Sequence, residues 1–365
     1  MARLLWLFAL VPALLLSVGW AYQWIGERRD RRRYLGRGRM VKLEDGRQTY
    51  VSEMGPDPRL NSAHDSAPTP TVVFESGIAA TSQNWLQVQE QVAAYARAVS
   101  YDRGGLGWSS ACATARTPTN IARELRQTLR QAGIPGPYVL VGHSFGGLVV
   151  RRYAALYPGD VAGVVLVDPM RAEEWPPLNE IQRPLLERGA RLAGYGVPVA
   201  RFGLARLATT SLLCRSGRAS RFFSRAAGGG GAHVMERITC EVGKMPRDVW
   251  PVVAAHWSTP SFYRGLRAHV RAVPASVAEM QGAAALDIPV VLLTPGSSEP
   301  LCCARLRRIG SDVQQVIARN SGHWIHLDEP ELVLEAIRGA VEQARHGSRA
   351  QTSAQVSALV ASAAR

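Results

Sequence analysis

Apolar and polar positions along the chain follow two rhythms. Short, nearly continuous apolar runs, "TVVFESG" at 71–77, "AVSYDRGG" at 98–105, "YVLVG" at 138–142 and "VAGVVLVDP" at 161–169, read as strands buried on both faces. Between them lie stretches of helical period: an amphipathic segment from Asn84 to Arg97, and another in which Ile121, Leu125 and Leu129 recur every four residues. Thr117 is placed to cap that second helix, with Pro118 at its first position and Gly133 at its end. A further helix follows "YVLVG" and runs to about Tyr157. Such alternation predicts a mostly parallel sheet covered by helices. Upstream, "RMVKLEDGRQTYVSEMG" has two extended runs around Asp45-Gly46, the pattern of a β-hairpin, and a Pro-rich connection follows at 56–70.

The alternation stops at Met170. As far as Leu286 the chain is Arg-rich, punctuated by Trp and Pro and mostly helical in pattern, with four consecutive glycines in "AAGGGGAHV" marking a flexible joint. Strand patterning returns with "DIPVVLLTPG" at 287–296 and at Val313–Ala318, then a helix from Pro330 to Gln343. The pattern divides the chain into a core of residues 41–170 and 286–345, an inserted helical cap at 171–285, and a disordered Ala- and Ser-rich tail at 346–365.

The N-terminus adds a different signal. Leu4 to Ile25 carries no charge and has Trp6, Trp20, Tyr22 and Trp24 toward its ends, enough to span a bilayer as a helix. The expectation is a single-pass membrane anchor over residues 1–27 and a basic juxtamembrane linker at 28–40. Five arginines among Arg28–Arg33 place the remainder on the cytoplasmic side. The alternative is a signal peptide cleaved near Gly19-Trp20-Ala21, with export. The net charge of +14 comes from residues 1–40, at +6, and residues 171–285, at +8, so cationic surface belongs to those two segments. Neither holds a nucleic-acid-binding motif, and the expected partner of the basic flank is a membrane surface. Five cysteines, at 112, 214, 240, 302 and 303, match no metal spacing, so neither a metal nor another cofactor is implied; Cys214 and Cys240 are a possible pair or two buried thiols.

Ser144 stands where the strand "YVLVG" turns into a helix, inside Gly142-His-Ser-Phe-Gly146. A serine hydroxyl is a weak nucleophile, so it needs a base in reach, exposure at a strand end, and amides for the developing oxyanion. A tight strand-to-helix turn supplies the last two, and glycines two before and two after let the backbone pass closely. His323, in the loop "NSGHW" after the last strand, suits the base; His326 suits packing at the start of the final helix, and His143 points away from the serine.

In "ESGIAATSQNW", "YDRGGLGWSS", "VGHSFGG", "VLVDP" and "SGHWIHLDEPELV", in that order, residues 40–340 resemble the α/β-hydrolase family, in its serine esterase branch with a helical cap. The resemblance implies a mostly parallel sheet of about eight strands, with the cap inserted after strand six. It implies Ser144 as nucleophile, His323 as general base, and an oxyanion hole from the backbone amides of Ile78 and Phe145. The triad acid is Asp168, after the sixth strand, with Glu299, after the seventh, where the commoner arrangement places it, as the alternative. Asp102 and Arg103 are read as a structural ion pair.

Serine at the elbow argues against the relatives that open epoxides or haloalkanes, which form their ester on an aspartate. The expected activity is hydrolysis of a carboxylic ester of an apolar, small or lipid-like acyl substrate, with Trp175, Phe202, Phe222, Phe223, Trp250, Trp257, Phe262 and Tyr263 of the cap available to line the acyl pocket. An amidase or carbon–carbon hydrolase with the same triad, and a non-catalytic binding module on the same fold, are the alternatives.

Overall fold

The computed structural model describes residues 2–57, 69–172, 182–214 and 242–363. Eight strands form one sheet: β1 (Arg39–Lys42), β2 (Gln48–Met54), β3 (Thr71–Glu75), β4 (Ala98–Tyr101), β5 (Tyr138–His143), β6 (Val161–Val167), β7 (Val290–Pro295) and β8 (Val313–Ala318). Their order is β1-β2-β4-β3-β5-β6-β7-β8. β1 and β2 are the expected hairpin, closing at Gly46 with φ of 82°. β2 also meets β4 antiparallel, and the remaining six strands are parallel.

The central strands look uniformly apolar in sequence because both their faces are covered. Along β5, Tyr138 and Leu140 enter one core with α3 (Pro118–Gln131) and α4 (Phe145–Leu156), through Leu125, Leu129, Val150 and Tyr153. Val139 and Val141 enter the other, with α2 (Leu86–Val92) and the final helix, through Val88, Val92, Val333 and Ile337. β3 and β6 divide in the same way: Val73, Val164 and Leu166 face the first core, and Val72, Phe74, Val165 and Val167 the second.

Between β6 and β7 lie α5 (Gln182–Arg201), α6 (Leu204–Cys214), α7 (Trp250–Trp257) and α8 (Pro260–Gln281), where the helical insertion was expected. α9 (Cys303–Leu306) and α10 (Ile325–Asp328) flank β8. The expected helix at Asn84–Arg97 is a 3-10 turn at Ser82–Trp85 followed by α2 alone. The last helix, α11, runs Pro330–Ala363, through residues expected to form a disordered tail; their alanine content favours continuation of the helix. Trp175, Phe222, Phe223, the glycine run and the Cys214–Cys240 pairing lie outside the described residues.

The N-terminal expectation is corrected. Among the described residues no helix is long and apolar enough to cross a membrane, which overturns the single-pass anchor, the cytoplasmic placement and the membrane partner built on it. α1 (Ala2–Tyr34) continues through the expected linker and lies against the inserted helices. Gln23, 3 % exposed, donates to the Ser258 carbonyl at 2.9 Å and to Glu27 at 2.7 Å, and Arg206 of α6 binds both Gln23 and Asp30. The uncharged stretch that begins at Leu4 is interrupted by the polar Gln23, whose buried amide faces the cap. Leu14, Leu15 and Val18 on another side of α1 are exposed.

A buried ion cluster fastens α3 to the hairpin and to the loop after β4. Glu124, 6 % exposed, accepts from Arg47 Nη1 at 2.7 Å, Arg116 Nη2 at 2.9 Å and the Gly104 amide at 3.0 Å. Burial alone would raise its carboxyl, but the charge and hydrogen bonds of Arg116, with those of Arg47 and Gly104, outweigh it and hold the group at about 2. A depressed carboxyl stabilises the fold above its ordinary value of 4.5, and that contribution is lost as pH falls toward about 2. Glu124→Gln, which leaves the buried Arg116 guanidinium without a carboxylate while Arg47 keeps Asp45, is expected to cost about 3–5 kcal/mol in urea unfolding at pH 7. The gap between the two proteins should narrow as pH falls from 4.5 toward 2; a gap unchanged at low pH would refute the assignment.

Candidate active site

β5 delivers Ser144 onto a turn with φ of 54° and ψ of −121°, a conformation costly for a side chain. Three backbone bonds hold it there: the Ser144 amide donates to Val167 at 3.1 Å, and the Ser144 carbonyl accepts from Gly147 at 3.0 Å and Met170 at 2.9 Å. The flanking glycines are steric requirements. A Cβ on Gly142 would stand 2.7 Å from the Gly146 carbonyl oxygen, and one on Gly146 would stand 2.5 Å from that of Glu75. Ser144 is half-buried, and its hydroxyl makes no hydrogen bond among the described residues.

His323 lies in the loop between β8 and α10, its side chain 38 % exposed. Its Nδ1 is 2.6 Å from Asp168 Oδ2. With Nδ1–H donating to the carboxylate, Nε2 carries the free lone pair. Asp168 follows β6 with φ of 38°, its amide donating to the Leu293 carbonyl at 2.9 Å, so the end of β6 aims the carboxylate. Glu299 is exposed and joins this neighbourhood only through its backbone carbonyl, 3.5 Å from Arg171. Of the two acids weighed from sequence, Asp168 is the one in contact with the imidazole.

The loop after β3 forms the opposite wall. A Cβ on Gly77 would stand 3.6 Å from Ser144 Cβ, which places the Gly77–Ile78 segment directly beside the serine. The amides of Ile78 and of Phe145, the first residue of α4, have no acceptor among the described residues. α4 also directs its positive end to this spot.

His143, expected to point away from the serine as a supporting or packing residue, holds His323 in place. His143, fully buried, has Nε2 2.9 Å from the His323 carbonyl oxygen, and its ring lies 4.6 Å from those of both His323 and His326. Burial, then the neighbouring His326 and His323, push its pKa well below the ordinary value, so the neutral ring donates Nε2–H to that carbonyl. His326 packs on Trp85 at 4.5 Å, and burial and His323 hold it at about 3, in keeping with a packing residue. The only signal in the sequence for His143 was its adjacency to Ser144.

The expected Asp102–Arg103 pair does not form. Asp102 accepts from the amides of Ser82 and Trp108, both at 2.9 Å, while Arg103 pairs with Glu75 at 2.6 Å and also bonds the Ser76 carbonyl. Adjacent residues at a strand end point to opposite sides, so each takes a partner on its own side. Of the cap aromatics, Trp250 and Trp257 pack against the buried cluster of Leu86, Leu213 and Val253 that Trp324 also borders, and Phe262 is buried near Trp257 at 6.1 Å.

A sequence model described as the alpha/beta hydrolase fold matches residues 70–221. An AB hydrolase superfamily protein of Gibberella zeae is 33 % identical over 119 residues, 32 % of this chain and 35 % of that protein. The chain thus matches well under half the length of such curated relatives. In three dimensions it is similar to a thermophilic esterase from Thermogutta terrifontis, at 20 % identity and TM-score 0.56, covering 84 % of this chain and 99 % of that one. It is also similar to the Cif epoxide hydrolase from Acinetobacter nosocomialis, at 15 % identity and TM-score 0.58, covering 83 % and 88 %. At these identities the structural likeness speaks for the fold alone. Residues 70–221 match the alpha/beta hydrolase fold in sequence, and the sheet order and structural neighbours give that same fold for the described residues.

Proposed function

We propose that the protein is a serine hydrolase that cleaves a carboxylic ester of a small, apolar molecule through an acyl-enzyme. The observation that carries this reading is the 2.6 Å contact between His323 Nδ1 and Asp168, which follows β6, with Ser144 on a strained turn at the end of the neighbouring strand β5. Ser144 Oγ attacks the carbonyl carbon while His323 Nε2 takes its proton, and Asp168 stabilises the imidazolium. The Ile78 and Phe145 amides receive the oxyanion. Collapse of the tetrahedral intermediate expels the alcohol, which takes the proton from His323. Water, deprotonated by the same nitrogen, then attacks the acyl-serine, and the acid and free serine are released. Half-buried Trp324, its ring 6.5 Å from that of His323, supplies apolar surface for the acyl group. The epoxide-opening chemistry named for one structural neighbour is not carried over, because it needs a carboxylate where this chain has Ser144.

Ser144→Ala should abolish hydrolysis of p-nitrophenyl butyrate and labelling by a fluorophosphonate probe; retained turnover would end the proposal. Asp168→Asn should lower kcat about 10⁴-fold, by loss of the productive tautomer. Glu299→Gln should leave kcat within about twofold, since an exposed group without contact to the imidazole contributes little. Equal losses in the two variants would reverse the choice of acid.

A further inference from the structure

A cavity of about 490 Å³ opens between α1 and the inserted helices, and none of the residues proposed for catalysis lines it. Its walls are aromatic and cationic. Trp20 and Trp24 of α1 stack with centroids 6.3 Å apart, Trp108 forms another side, and five arginines face two carboxylates, Glu27 and Asp30. Arg206 of α6 is 6 % exposed and already committed on one side, to Asp30 through Nη1 and to Gln23 Oε1 through Nε at 3.1 Å. Its Nη2 and the Nε1–H of Trp108 are buried without an acceptor among the described residues. Native folds rarely leave two such donors unmade at one place. The lining also includes Thr259, Pro260 and Ser261, the N-cap and first residues of the 22-residue α8, so the positive end of a long helix lies at the same cavity.

Unpaired buried donors, surplus guanidinium charge and a helix N-terminus all favour an oxyanion, and three indoles favour an apolar body attached to it. We infer that this cavity is a binding site for a small amphiphilic anion, a carboxylate or phosphate carried on an apolar group, distinct from the site around Ser144. Arg201, at the end of α5, and Arg264, on α8, are both exposed and both line the cavity, so they meet the charged head. Trp20 and Trp24 meet the apolar part. The exposed positions of the two arginines make them replaceable without breaking the core.

The test is calorimetric titration of the full-length chain with octyl phosphate and octanoate, against inorganic phosphate as a head without a tail and octyl glucoside as a tail without charge. One of the two amphiphilic anions is expected to bind at least about tenfold more tightly than either control, and which one does so identifies the head. In the Arg201→Gln, Arg264→Gln double variant that binding should weaken about tenfold, and Trp20→Ala should weaken it without affecting weak binding of inorganic phosphate. An unchanged melting temperature in each variant shows that the fold is intact. Binding no tighter than the controls, or insensitive to both changes in a folded protein, overturns the inference. Activity at Ser144 does not enter the readout, so the result is independent of the hydrolase reading.

Discussion

Ser144 holds a backbone conformation that an isolated serine would leave, and everything around it is arranged so that it cannot. β5 is buried on both faces, so the strand cannot slide to relieve the turn. α4 must begin at Phe145 because Gly142 and Gly146 let its first turn lie against β5 and the Glu75 carbonyl. The strain is local, while the restraint comes from two cores.

The same restraint sets the relation between the serine and the imidazole. His143 is the last residue of β5, and its ring bonds the backbone of His323. Asp168 follows β6, the strand beside β5, and bonds the His323 side chain. The histidine loop is therefore held at its carbonyl by one strand and at its ring by the next, and a shift in register between β5 and β6 would move both holds together. Glu299 lies in the loop after β7 with its side chain in solvent, and no comparable restraint acts on it.

Much of this was legible in sequence, for identifiable reasons. Strands covered on both sides must be apolar throughout, so β3, β5, β6 and β7 announced themselves, and Gly142 and Gly146 marked the turn. The sequence favours Asp168 over Glu299 only weakly, because the choice depends on which of two strand ends lies under a loop about 155 residues away. The pairing of Arg103 with Glu75, and not with Asp102, was likewise invisible: it joins the ends of neighbouring strands β3 and β4, and adjacency in the chain suggested the wrong partner.

α1 is the instructive failure, since its correct reading was present in the same residues. Counting uncharged positions from Leu4 to Ile25 suggested a span, but Gly19, Gln23, Gly26 and Asp30 recur at intervals of four, three and four and so share one helical face. That face is small and polar where a bilayer would demand neither. A Cβ on Gly19 would stand 2.5 Å from the Phe202 carbonyl oxygen, and one on Gly26 would stand 2.6 Å from the Arg206 guanidinium, so both glycines exist to let the helix approach the cap. Gln23 and Asp30 then meet Arg206 across the contact. A stripe of small and polar residues through an otherwise apolar helix is a docking face, and its period says so before its mean hydropathy does.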